Sequence, residues 1–346
     1  MVESSVSGEP VMISGERPFR VVARSVAGYI VMLVLTLIPP FVVFIPFIPA
    51  LLFGCGVRNG RRAAMLALAV MAAVALALSI EPGAAAATEN AKTGLSFVIG
   101  LILALGVPSL VVLPQIERRD SFGRVLLVAV IAAAIGLGAT EVVSRGLLGF
   151  SPYHHQLEQT RELADKFITQ NAASGPQAGI AKLATRVGLQ CLPGIYLVDL
   201  TAMFFFSLLL HGRLLTWRRF QQQRGGDAGP VQAVPYLLRS FSLPDWLLFA
   251  FVLGGLSPFL SGLLQDIGAS ILAVTLFLYF LQGLAIFRFM LAAIGTGLFG
   301  SLFAFVILGL LASISVALLT IAGLFDSFFD FRHFNRKDDS NESHID

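Results

Sequence analysis

Residues 25–57 and 291–325 each run without a single charged side chain, and apolar stretches of that length exceed what the core of a soluble domain absorbs. About 20 consecutive apolar residues cross the roughly 30 Å hydrocarbon core of a bilayer as a helix. Because lipid offers no hydrogen-bond partners, a spanning backbone satisfies itself as a helix or as a closed barrel. A barrel reads as alternating segments of about ten residues, and runs such as 271–281 and 302–311 do not alternate. The expected fold class is therefore all-α, a polytopic transmembrane helix bundle. Composition points the same way: of 346 residues, 56% are hydrophobic and 13% charged, with a mean hydropathy of +0.81, against roughly 25% charged in soluble domains.

The net charge of +3 does not imply nucleic acid, because the basic residues cluster at the ends of apolar runs, as topology signals do. Arg17, Arg20 and Arg24 precede residues 25–57, and Arg58, Arg61 and Arg62 follow them. Both clusters are expected in the cytoplasm, so an even number of crossings intervenes; Pro39-Pro40 breaks the run into two helices, and Pro46 and Pro49 kink the second. Further spans are expected near 63–80, 95–113, 125–148, 195–215, 244–262 and 267–290. Residues 291–325 suffice for one tilted helix or two short ones, of which two return Arg332, Arg336 and Lys337 to the cytoplasm. The count is eight to ten segments, ten giving the best charge parity and fewer if the proline-broken pieces are re-entrant.

The expected organisation is a cytoplasmic tail (1–24), a first membrane block (25–150), an extracytoplasmic helical insert (151–192), a second membrane block (193–326) and a cytoplasmic C-terminal tail (327–346). In the insert, Leu157, Leu163, Ala164, Phe167 and Ile168 fall near one helical face. Ser174-Gly175-Pro176 separates that helix from a second amphipathic piece at 180–187.

Two cysteines, Cys55 and Cys191, have no metal-ligand spacing, and His154-His155 point different ways on a helix, so neither metal nor cofactor is expected. The pattern Gly295-Thr296-Gly297-Leu298-Phe299-Gly300 matches a dinucleotide fingerprint, but it lies in an apolar run and is read as close helix packing through small residues, like Gly136, Gly138, Gly254 and Gly255. No hydrolase, zincin or P-loop pattern appears, and enzymatic activity is not expected.

Ionisable and polar residues inside spans carry more information, since one at the bilayer centre costs about 2.5–3.5 kcal/mol on insertion scales. Glu141 and Asp199 lie in the outer halves of two spans. One reading has them facing an outward-open cavity as a cation, proton or polar-ligand site; the other has them snorkelling at the interface or pairing with groups such as Arg145. At the C-terminal end, Asp326 and Asp330 are one turn apart with Arg332 close by, which suits an interfacial anchor or a docking site for another protein.

The ending Gly323-Leu324-Phe325-Asp326-Ser327-Phe328-Phe329-Asp330-Phe331-Arg332 resembles that of the YybS-like bacterial membrane proteins, a family defined as a domain of unknown function. Also similar are Tyr279-Phe280-Leu281-Gln282-Gly283-Leu284-Ala285, the proline-rich second helix followed by Arg58-Asn59-Gly60, and the external insert ending at Pro193. The resemblance implies a multipass protein of the bacterial inner membrane, distantly similar to the substrate-binding subunits of energy-coupling-factor transporters. Its implied partners are the lipid bilayer and a coupling subunit with ATPases. It further implies a ligand cavity lined by Gln282 and Asp199. From another class, a membrane scaffold or envelope-assembly factor would act through the insert and the tail.

Overall fold

In the computed structural model the chain is helical through nearly all of the residues described, which are 19–37, 41–79, 88–171, 185, 187–224, 236–238 and 241–329; no strand occurs among them. Six helical stretches are long and apolar enough to cross a membrane: 61–78, 92–118, 122–148, 192–214, 264–293 and 312–329. Shorter apolar helices cover 25–35, 44–59, 247–259 and 299–310.

Helix α1 (Phe19–Leu35) stops before the proline pair, and a 3-10 turn, Phe41–Phe47, leads into α2 (Ile48–Asn59). Pro46 inside that turn has no N–H to give, so the chain tightens there and the α-helix begins only afterwards. The Ser207 hydroxyl donates to the Pro46 carbonyl at 3.2 Å, supplying from another helix the partner that an apolar solvent does not. At the far end of α2, the Asn59 amide donates to Ser25 Oγ at 3.1 Å, clasping α1, and Gly60 at φ 87° turns the chain into α3 (Arg61–Ser79).

Next come α4 (Thr88–Gly100), a π-helical turn at Leu101–Gly106 and α5 (Val107–Arg118), which together make one span. Helix α6 (Phe122–Leu148) lies against them, with Gly136 set directly on the Leu103 carbonyl. Helix α7 (Pro152–Asn171) covers the first part of the segment expected as the insert. The expected second piece, 180–187, lies almost wholly outside the described residues. Helix α8 (Leu192–Arg224) re-enters, followed by α9 (Leu247–Gly255), α10 (Leu263–Ala293), α11 (Leu298–Leu310) and α12 (Ala312–Phe329).

Two apolar clusters hold the bundle. The larger joins α5, α6, α8, α9 and α10, and at one end it is sealed by a ring group: Phe122 stacks on Phe205 at 5.3 Å and meets Phe241 and Tyr236 edge-on at 5.0 and 5.9 Å. The smaller gathers Leu33, Ile48, Leu52, Met71 and Leu101. Outside, the apolar side chains continue: Val142, Leu147, Phe249, Phe299 and Leu310 are all more than 70% exposed. In water such a surface would aggregate, whereas in a bilayer it faces solvent of its own kind.

Helices α10 and α12 run antiparallel. A Cβ at Gly283 would collide with the Leu319 carbonyl, and one at Gly323 with the Tyr279 carbonyl. Ala293 lies ten residues beyond Gly283 and Ala312 seven before Leu319, so at 1.5 Å per residue the two ends fall on the same side, within about 5 Å in depth. Helix α11 therefore leaves and returns at one level, and its 13 residues span only about 20 Å. Of the two readings left open for 291–325, two short helices are present, and α12 points back toward the side on which α10 begins. Arg332, Arg336 and Lys337 lie outside the described residues.

Some glycines read as packing points act otherwise. Gly295, at φ 75°, turns the chain between α10 and α11, and neither it nor Gly297 has an atom within 4 Å of its Cβ position. Gly254 does pack tightly, against Leu272, whereas Gly138 and Gly255 face open space.

Candidate functional site

Most hydroxyls within the spans are used up locally. Ser109, Thr140, Thr201, Ser270 and Thr275 each donate to a carbonyl three or four residues earlier on their own helix. Such back-bonding uses the hydroxyl's single donor and leaves only its acceptor lone pairs for a partner helix or a ligand.

The glycine contact between α10 and α12 is different. Small residues let the backbones approach, and the next side chains along the seam then meet face to face. Gln282, beside Gly283, donates from Nε2 to Asp326 Oδ2 at 2.9 Å, and the two residues are only 2% and 8% exposed. Gln282 Oε1 is buried without a hydrogen-bond partner. One turn before Gly283 on α10, the Tyr279 hydroxyl lies beside Ser327, and the ring packs edge-on against Phe251 of α9 at 5.9 Å. The exposed carboxylate of Asp245, at the entry to α9, is close enough to act on that hydroxyl electrostatically.

Gln282 and Asp326, assigned separate roles from the sequence, thus belong to one polar contact. Asp326 is buried and turned toward α10 rather than exposed; Gly323, one turn earlier, brings α12 close enough for its carboxylate to turn inward. Asp330 and Arg332 lie outside the described residues.

Elsewhere, Glu141 holds the start of α7. Its carboxylate pairs with Arg145, accepts from the Ser151 hydroxyl, and accepts from the Tyr153 N–H at 3.1 Å, where α7 begins. An anion at a helix N-terminus fills orphan donors and complements the helix dipole. Burial pushes the Tyr153 phenol upward, with Asp266 and Glu141 adding to the effect and Arg161 opposing it. Asp199 is exposed on α8, close to Tyr196, which in turn feels Tyr153. Glu141 is committed to the start of α7, and no group of three or more metal-ligating side chains occurs among the described residues.

Sequence reasoning did not find the buried end group around Tyr236. This residue is 1% exposed, its hydroxyl has no partner, and it packs over Gly212 and beside His211. Burial, with Asp120 adding and Arg119 opposing, raises its phenol to about 12. Nor did it pair Gln282 with Asp326, although each has a glycine within one turn, the available signal for two polar residues sharing a close helix crossing.

The model of one family, described as predicted membrane protein (DUF2232), matches residues 26–327, from the first apolar helix to one residue past Asp326. No curated protein and no solved structure matches the chain.

Proposed function

The chain belongs to the DUF2232 family of predicted membrane proteins, and from that premise we propose that it is a small-molecule-binding subunit of the transporter type in the bacterial cytoplasmic membrane. The observation that carries this reading is the Gln282–Asp326 contact: a carboxylate and an amide, both buried between apolar helices, with one amide oxygen left over. A buried polar group without a partner costs about 1–3 kcal/mol, and ionisable residues within membrane helices are functional-site hypotheses by default. The YybS-like resemblance, with its similarity to energy-coupling-factor binding subunits, supplies the form: capture by this chain, with a separate membrane coupler and ATPases driving release. Binding, not catalysis, is the role.

A second reading has its own observation. Helix α7 stands outside the membrane block on a charged anchor at Glu141, which suits a scaffold or envelope-assembly factor that presents the insert to a partner.

Purification from the native host in mild detergent, followed by mass spectrometry of co-purifying proteins and small molecules, tests both. Recovery of a coupler with ATPases, and of a small molecule that is lost in Gln282→Leu, is the expected result. Co-purification of envelope-assembly proteins alone, with no small molecule, overturns the transporter reading in favour of the scaffold.

A further inference from the structure

Arginines far apart in the sequence are gathered at one end of the bundle. Arg58, Arg61 and Arg62 flank the Gly60 corner between α2 and α3. Gly56 of α2 is set against Leu113 of α5, and Leu68 of the returning α3 against Gly106. Helices α2 and α5 therefore finish within about 3 Å of one level, and Arg118 and Arg119 stand at the end of α5. Arg124 follows in the first turn of α6. Phe122, where α6 begins, meets Tyr236 at 5.9 Å, and the Tyr236 carbonyl lies over Gly212, the residue before Arg213. All of these arginines are exposed. Against them stand Glu117, Asp120 and Asp245, so positive charge is in excess. None of Arg58, Arg61, Arg62, Arg118, Arg124 and Arg213 is ion-paired among the described residues.

Exposed apolar surface continues from this charge along the same helix faces. Met65 and Leu66 follow Arg61 and Arg62 by one turn, Ile131 follows Arg124 by two, and Val111 precedes Arg118 by two. Leu214 adjoins Arg213, and these five apolar residues are between 42 and 55% exposed. We propose that this end of the bundle selects anionic phospholipids from the leaflet that meets it. The arginines hold the phosphate-bearing headgroups, and the acyl chains lie along the apolar faces beneath. A guanidinium suits this role because its paired N–H donors match phosphate oxygens, and clustered basic residues beside membrane helices attract anionic headgroups. A zwitterionic headgroup carries its own ammonium and leaves the excess positive charge unmatched. An acidic protein would match the charge but not the apolar rows that run on from it. Selection of this kind is independent of the ligand that the chain captures.

Trp246, 51% exposed, is a local reporter, because Ser242 and Leu243, just before it, lie against Gly123 beside Arg124. The other tryptophan of the chain is Trp217. The full chain carrying Trp217→Phe is reconstituted in phosphatidylcholine vesicles, with part of the lipid replaced by phosphatidylcholine or phosphatidylglycerol brominated on the acyl chains. Bromine quenches tryptophan on contact, so the two quenching curves give the relative occupancy at Trp246. The expected result is a preference for phosphatidylglycerol of about fivefold, roughly the strength of one basic residue at an anionic membrane surface. Arg124→Gln with Arg213→Gln abolishes the preference. Arg124→Lys with Arg213→Lys keeps the charge and most of the preference, which separates lost lipid contact from misfolding. Lys92→Gln, at the far end of the span that finishes at Arg118, leaves it unchanged. Equal quenching by the two lipids, or equal preference in the glutamine and lysine pairs, overturns the proposal. Equal quenching together with an acidic protein that co-purifies with the parent chain and is lost from the glutamine pair gives this face to a protein partner instead.

Discussion

Single atoms decide how closely α10 and α12 approach. Gly283→Ala places a methyl group against the Leu319 carbonyl, which belongs to a helix backbone and cannot rotate away. Overpacking of this kind costs about 1–3 kcal/mol, and it also draws Gln282 away from Asp326. Gly309, with nothing within 4 Å of its Cβ position, is the control: Ala there is expected to stabilise by about 0.5–1 kcal/mol through helix propensity. Thermal unfolding of the two variants in the same detergent checks the contrast, and equal effects would mean the seam is not tightly packed. Tyr236 gives a second residue-scale prediction. Its phenol is raised from 10.0 to about 12, so the neutral form is favoured on folding. That stability is fully present below the unfolded value and is lost as pH rises through the folded one. Tyr236→Phe removes this loss and, because the hydroxyl has no partner, is expected to stabilise by about 1 kcal/mol even at neutral pH. Unfolding midpoints on either side of pH 10 for both proteins decide it.

Among the elements, those with polar punctuation were legible before any coordinates. Pro39-Pro40 marked the break after α1 and the polar stretch after Leu148 the start of the expected insert, because each interrupts either backbone donation or apolar character. Glu141 was legible only as a choice between a cavity and an interfacial partner, since its hydrogen bonds come from Ser151 and Tyr153, beyond the span that contains it. Their geometry makes α7 dependent on one carboxylate. Glu141→Gln keeps the size but weakens the acceptor and removes the pairing with Arg145, costing the start of α7 about 0.5–2 kcal/mol, the range of a lost N-cap. Hydrogen exchange should quicken across residues 153–160 while α6 and α8 keep their protection. Unchanged exchange in α7 would show that other contacts hold the insert.

At the scale of the whole molecule, the sequence left residues 291–325 open between one tilted helix and two short ones, because no charged residue marks a turn there. Parity counting needs such marks, and here two turns, at Gly295 and Leu311, are made from apolar and small residues alone. The antiparallel seam of α10 and α12 instead fixes where α11 begins and ends, information held in Gly283 and Gly323, about forty residues apart, and in no local pattern. The consequence is a helix that is apolar on every face, with Phe299, Leu302, Phe303 and Leu310 all more than 60% exposed, yet too short to cross. With both ends held at one level, such a helix is expected to stay within the apolar layer beside the ends of α10 and α12. Single cysteines at Thr296 and Leu311, in a background with Cys55 and Cys191 replaced by serine and alanine, are therefore expected to react with an impermeant maleimide from the same side of sealed vesicles. Labelling from opposite sides would make α11 a full crossing, detach the ends of α10 and α12 from a common level, and contradict the antiparallel seam that brings Gln282 to Asp326.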